Sequence, residues 1–245
     1  MVIESGQSFD KDMINSLIDD RLNSTEFDKS ESPSINNENI TLLSDKIITN
    51  TIKSTGDSSL DLNGKSIESK NSNIDGIEVG EGSLVISGDG IISVGSDSPG
   101  QGSAVYTFSG STIIIKNGTY INHGNDNNGI ATIMLRANSS TKKDSVCMIE
   151  GGYFINQAYI DKTEDEVKEL DNKKFNYILN AQNQDNSHFI LSGGYFLNFN
   201  PLWHKDGSDR TSKEIKIKEG YEVVKLEDLE HNGYKGTWYH VQKYN

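Results

Sequence analysis

Cysteine, arginine and long apolar runs are all scarce in this chain, and each scarcity closes off a class of protein. Cys147 is the only cysteine among 245 residues, so no internal disulfide can form. Arginine occurs only at Arg21, Arg136 and Arg210, and 36 acidic side chains against 23 basic ones leave a net charge of −13. The clustered Lys and Arg that neutralise a phosphate backbone are missing, so no nucleic-acid partner is expected. No stretch reaches the roughly 20 apolar residues that span a bilayer, so no membrane insertion is expected either. The start, Met1-Val-Ile-Glu-Ser-Gly, lacks the basic residues and apolar core of a secretory signal. Five scattered histidines and a lone cysteine make no zinc set, so the expected metal complement is none. Gly80-Glu-Gly82 and Gly88-Asp-Gly90 do not open a helix, which removes a dinucleotide cradle; no cofactor is expected.

What the chain does contain is a cassette repeated five times. It reads Leu60-Asp-Leu-Asn-Gly64, Leu84-Val-Ile-Ser-Gly88, Ile113-Ile-Ile-Lys-Asn117, Cys147-Met-Ile-Glu-Gly151 and Phe189-Ile-Leu-Ser-Gly193. The final residues lie 24, 29, 34 and 42 positions apart, so the cassette is constant while the connections lengthen. That is how a stacked-coil architecture accepts insertions. Each cassette ends at a residue tolerant of positive φ, glycine or asparagine, and a left-handed bend is expected there.

The columns align beyond the glycine. Leu62, Ile86, Ile115, Ile149 and Leu191 stand two before the anchor; Leu60, Leu84, Ile113, Cys147 and Phe189 stand four before it. Residues two apart share one face of a strand, so both columns are expected to point inward. Ile67, Ile91, Tyr120, Phe154 and Phe196, three after the anchor, are expected on a second strand past the bend. Asn122, Asn156 and Asn198 follow and suggest amides bonded one to the next. Weaker strands, Ala104–Phe108, Ile130–Leu135 and Phe175–Leu179, precede the late cassettes. The implied fold is all-β: a single-stranded right-handed parallel β-helix, right-handed because parallel crossovers nearly always are. An antiparallel sandwich has no reason to repeat side chains in register.

Around this core, 46–200, two attachments are expected. In 1–45, Phe9, Met13, Ile14, Leu17, Ile18 and Leu22 fall on one helical face behind a Ser8 cap, followed by a polar linker over 23–38. This helix either anchors the chain to a partner or covers the open end of the coils. Within the core, Thr163-Glu-Asp-Glu166 is a capping box that starts a short helix on the side of the rod. In 201–245, a loop precedes a β-hairpin cap turning near His231-Asn-Gly233, with Tyr221, Val223, Trp238 and Val241 closing the last coil.

Chemistry is sparse. Glycoside hydrolysis needs two carboxylates about 5–10 Å apart, and the outward Asp61 and Glu150 lie three cassettes apart. No catalytic residue is assigned. Cys147 occupies an inward column, which makes it a buried apolar residue rather than a nucleophile. Asn122-His-Gly-Asn-Asp126-Asn-Asn-Gly129 is rich in oxygen ligands, but turns favour the same residues. Trp203 and His204 beside Asp206 and Asp209 form a polar aromatic loop. Tyr153, Tyr195 and Trp203 are the candidate aromatic platforms for a glycan.

The cassettes Leu60-Asp-Leu-Asn-Gly-Lys-Ser-Ile67, Leu84-Val-Ile-Ser-Gly-Asp-Gly-Ile-Ile92 and Ile190-Leu-Ser-Gly-Gly-Tyr-Phe196, with the tail Gly220-Tyr-Glu-Val-Val and Gly-Thr-Trp238-Tyr, resemble pectin-lyase-like β-helix proteins of the bacteriophage virion fibre and head-fibre type. The resemblance covers roughly 40–243. It implies a non-enzymatic virion structural protein: a head fibre or capsid-decorating appendage, assembled in the host cytoplasm and displayed on the particle surface. It further implies a homotrimer, attachment to a capsid or other virion protein through residues 1–45, and contact with host-surface glycans. A tail receptor-binding fibre and a carbohydrate-active β-helix enzyme (polysaccharide lyase or hydrolase) are the alternatives.

Overall fold

The structure is a computed structural model that describes residues 34–71, 73–96, 100, 102–108, 110–124, 131–136, 143–174, 177–182, 187–203 and 215–244. The helix expected over Phe9–Leu22 and the polar cluster from His204 to Asp209 lie outside them. The described chain is mainly β, with one short α-helix and two largely parallel sheets.

The chain makes repeated passes of similar design. The first comprises β1 (Ser34–Asn36), β2 (Asn39–Thr41) and β3 (Lys46–Ile48). The second is the long β4 (Ile52–Asp61) with β5 (Ser66–Ser69), and the third the long β6 (Ile77–Ser87) with β7 (Ile91–Val94). Thereafter the long strand is divided. The fourth pass is β8 (Val105–Phe108), β9 (Ser111–Ile115) and β10 (Thr119–Asn122); the fifth is β11 (Ala131–Arg136), β12 (Val146–Ile149) and β13 (Tyr153–Asn156). Helix α1 (Glu164–Lys174) precedes the sixth pass, β14 (Tyr177–Gln182), β15 (His188–Leu191) and β16 (Tyr195–Leu197). β17 (Ile215–Ile217), β18 (Tyr221–His231) and β19 (Tyr234–Lys243) complete the chain.

Pairing builds three parallel stacks from these passes. One runs β1, front of β4, front of β6, β8, β11, β14. The second runs β2, rear of β4, rear of β6, β9, β12, β15, β17. The third runs β3, β5, β7, β10, β13, β16. β4 and β6 join the first two stacks into one eleven-stranded sheet. Among the described residues parallel pairing therefore extends from Ser34, inside the stretch read as linker, to Ile217, so it is wider than 46–200 on both sides.

Strand alternation turns the repeat into a core. Ile40, Leu60, Ile86, Ile115, Ile149 and Leu191 occupy consecutive rungs of the second stack and are at most 3% exposed. Leu84, Ile113, Cys147 and Phe189 form the parallel inward row. In the third stack Ile67, Ile92, Tyr120, Phe154 and Phe196 share a row, and the last three stack ring on ring at 5.1 and 5.0 Å. Cys147 is buried as expected, and burial pushes its thiol well above the ordinary range.

The structure corrects the alignment in detail. Leu60, not Leu62, sits opposite Ile86, and Ile92, not Ile91, sits opposite Ile67. The cause is bend length. The step between inward rows is seven residues from Leu60 to Ile67, six from Ile86 to Ile92, and five from Ile115 to Tyr120. The first bend is a turn with Asn63 and Gly64 both at positive φ (48° and 71°), closed by Lys65 N–H on the Leu62 carbonyl at 2.8 Å.

Positive φ falls on the anchor only at Gly64 and Gly88; in the last three cassettes it falls one residue later, at Gly118, Gly152 and Gly194. Gly151 and Gly193 answer a different need. A Cβ on either would overlap a carbonyl oxygen of the pass beneath, that of Lys116 or of Glu150.

The asparagines also behave differently from expectation. Asn122 and Asn156 are in register, yet their amides donate to backbone carbonyls: Asn122 to Gly102 and Ala131 at 2.7 and 2.8 Å, Asn156 to Tyr177 at 2.9 Å. Their Oδ1 atoms accept the N–H two residues on, at Gly124 and Ala158. They brace corners, where the ladder leaves backbone groups without partners.

Helix α1 starts at the expected box. Thr163 N–H donates to Glu166 Oε2 at 2.8 Å, and Glu166 N–H donates to Thr163 Oγ1 at 3.4 Å. Val167 and Leu170 join the main core, so the helix covers apolar surface as well as flanking the strands.

Candidate functional site

The densest cluster of chemistry-bearing side chains lies on the outer face of the third stack. Side chains alternate along each strand, so the residue before an inward aromatic points out: Thr119 before Tyr120, Tyr153 before Phe154, Tyr195 before Phe196. Register places Thr119, Tyr153 and Tyr195 on one outward row. β19 adds antiparallel to β16 and puts His240 opposite Tyr195. The long β18–β19 hairpin folds back with a bulge between Leu226 and Leu229, where Asp228 has φ 57°. Its tip brings His231 over Thr119.

Four rings then form one stack. His240 lies 4.0 Å from Tyr195, Tyr195 4.6 Å from Tyr153, and Tyr153 3.4 Å from His231, all within 10° of parallel. Thr119 Oγ1 is 2.8 Å from His231 Nε2, and Asn232 Nδ2 donates to the same hydroxyl at 3.3 Å. A hydroxyl that accepts from Asn232 has its own proton to give to a neutral imidazole. Burial holds both His231 and His240 below the usual imidazole range, with a Gln242 hydrogen bond partly opposing this at His240. Burial likewise raises Tyr153, assisted by Tyr195 and Asp89.

Beside the ladder, on the same outward face two residues along each strand, is a second apolar cluster: Ile121, Ile155, Leu197 and Trp238, none more than 5% exposed. Trp238 Nε1 donates to the Leu229 carbonyl at 2.9 Å. The sequence reading placed Trp238 with Val241 at the end of the coils. Val241, Tyr221 and Val223 do pack on the main core, but Trp238 lies outside. Residues three apart on one strand face opposite ways, so Trp238 and Val241 cannot share a side.

The three candidate glycan platforms are thus divided. Tyr153 and Tyr195 come together, but against each other and the histidines, which leaves ring edges rather than open faces toward solvent. Trp203 packs on the other cluster, edge-on to Phe199 and Tyr239 at 6.4 and 5.5 Å, with Lys168 Nζ 5.0 Å over its ring. The sequence reading has His231 only as a turn residue and does not single out His240, because only the hairpin fold-back brings them onto this row.

Acid–base chemistry is no better assembled. Asp61 and Glu150 flank the same stack three rungs apart, about 14 Å by strand spacing. Among the described residues no group of three or more His, Cys, Asp or Glu could hold a metal. One carboxyl stands out. Burial raises Asp75 to about 6, with Glu78 adding to the rise and the Ser103 N–H opposing it at 2.6 Å. Its own N–H donates to Thr51 Oγ1 at 3.1 Å, so it braces a corner.

The raised value has a consequence for stability. The unfolded chain ionises Asp75 near the ordinary carboxyl value of 3.8, the folded chain only near 6. Asp75 therefore favours the fold fully below the unfolded value, loses that contribution as pH rises between the two, and is level above. At ~1.4 kcal/mol per unit, the ionised carboxylate costs about 3 kcal/mol. Asp75→Asn keeps the acceptor for Ser103 and removes the charge. Urea unfolding should show the variant more stable by up to about 3 kcal/mol at pH 8, with the gap closing toward pH 4. A variant less stable than the parent at pH 8 refutes this account.

No protein-family model, curated protein or solved structure matches the chain.

Proposed function

We propose that this chain is a right-handed parallel β-helix that serves as a rigid structural appendage, and that it has no catalytic role. The observation that carries the reading is the in-register inward rows running through three parallel stacks, visited in one order on every pass. Such a body presents fixed outer faces and little that moves. Its outer aromatic row spends its ring faces on holding the hairpin. Its candidate carboxylates are too far apart for hydrolysis.

Within that class, the cassette resemblance favours a bacteriophage head fibre or capsid-decorating appendage. The apolar face of Phe9, Met13, Ile14, Leu17, Ile18 and Leu22 is the attachment element, and the β-body is the displayed part. The test uses the full chain carrying Leu17→Asp and Ile18→Asp. The variant should keep the parent's β-type circular dichroism and fail to co-sediment with assembled particles. Undiminished co-sedimentation refutes the anchor. Release of sugar ends or unsaturated products from a capsular polysaccharide by the purified parent protein refutes the non-enzymatic reading.

A further inference from the structure

The outer face of the second stack carries an apolar row that none of the described residues covers as part of a hydrophobic cluster. Val85, Ile114, Met148 and Ile190 occupy consecutive rungs. Each alternates with fully buried neighbours, is itself partly exposed, and among the described residues belongs to none of the hydrophobic clusters. The four-residue row is bounded by Ser59 on one side and Lys216 on the other, so with its bounds it covers six of the stack's seven rungs, its centre between Ile114 and Met148.

The charges beside the row are ordered about that same centre. Two residues along each strand, the flanking row reads Asp61, Ser87, Lys116, Glu150, Ser192, Lys218. Within this flanking row, reversing the order of rungs sets each charge against its opposite: Asp61 meets Lys218, Lys116 meets Glu150, and Ser87 meets Ser192, while Lys216 of the central row meets the neutral Ser59. Lys116, Glu150 and Lys218 are exposed, and among the described residues none of them forms an ion pair. Two copies facing each other across a two-fold axis parallel to the strands undergo this reversal. The other in-plane axis, parallel to the stacking direction, sets each rung against itself. It would place Lys116 over Thr112 and Glu150 over Val146, leaving charges without partners.

We propose that this face is a self-complementary interface at which a second copy of the chain docks, with Ile114 on Met148 at the centre and Lys116 paired with Glu150 on both sides. The footprint is about five rung spacings by five residues, roughly 400 Å² per copy. That is about 800 Å² in total, below the roughly 1,200 Å² of stable specific interfaces, so the association is weak and concentration-dependent. Packed sheets rotate by about 30° relative to each other, which degrades the outer Asp61–Lys218 pairs and leaves the central ones. The contact is two-fold, unlike the threefold assembly implied by the resemblance.

Sedimentation velocity on the full chain tests the proposal. The parent should pass from monomer to dimer as concentration rises. Lys116→Glu alone sets two carboxylates face to face and should weaken the dimer about tenfold, as should Glu150→Lys alone. The double variant exchanges the partners and should restore the parent's dissociation constant. Met148→Asp should abolish association. Melting temperatures measured at dilute concentration should be unchanged for the charge variants, which separates loss of docking from loss of fold. A parent that stays monomeric, a trimeric mass, single variants that associate like the parent, or a double variant that fails to recover each overturns the interface.

Discussion

Replacing Gly193 with alanine should destabilise this protein by about 3 kcal/mol or more, at the upper end of what overpacking costs. The added Cβ would overlap the Glu150 carbonyl oxygen and crowd its carbon, both part of the backbone one pass below. Relief by rotation of a flexible side chain is not available there. The passes are tied on both sides of the contact: Ser192 N–H bonds the Ile149 carbonyl and Tyr195 N–H bonds the Gly152 carbonyl, each at 2.8 Å. Moving one pass away from the other stretches this ladder. Gly151→Val should behave likewise, through the Lys116 carbonyl. The control is Gly64→Ala, where nothing lies within 4 Å and only the φ of 71° resists a side chain. That substitution should cost about 1–2 kcal/mol. Urea midpoints with unchanged slopes measure both. If Gly64→Ala proves the more harmful, backbone approach between passes is not what selects glycine at these anchors.

Trp238→Ala should cost about 3–5 kcal/mol, the usual penalty for emptying a large buried aromatic site. Trp238 is fully buried and covers Ile121, Ile155 and Leu197, while its indole N–H satisfies the Leu229 carbonyl. Removal opens a cavity, orphans that carbonyl and loosens the hairpin whose tip reaches Thr119. The loss should be concentrated there: amide exchange should accelerate across β18 and β19 before it does in β9 and β12, whose inward rows belong to the other cluster. Uniform acceleration through all stacks would show that the hairpin is not a separate layer.

These two sites show where sequence reading succeeds and where it stops. The rows Ile113–Cys147–Phe189 and Ile115–Ile149–Leu191 were legible because their bends have equal length, so equal spacing in sequence becomes equal height in space. The first cassette misled by two residues at Leu60, because its bend is longer and side-chain chemistry does not record bend length. The anchor glycines were recognised, but the reason differed: backbone approach from the pass beneath constrains Gly151 and Gly193, and that approach exists only after the chain has stacked. For the candidate site, Tyr153 and Tyr195 were named from the repeat. His231 was legible as a turn residue, but its contact with Thr119, 112 residues away, was not, because no periodicity links the two. Asp75 gave no signal, since its raised acidity constant comes from burial at a corner.

The residue order by itself therefore determined a β chain with recurring inward rows, a capped helix inside the sixth pass's insertion, and a buried, inert Cys147, because alternation and local hydrogen bonding are properties of neighbours along the chain. The register between passes, the fold-back of the hairpin and the partition of aromatics between an inner and an outer cluster were decided only in three dimensions. They depend on bend lengths and on contacts between residues far apart in sequence, where geometric closure rather than local preference selects the outcome.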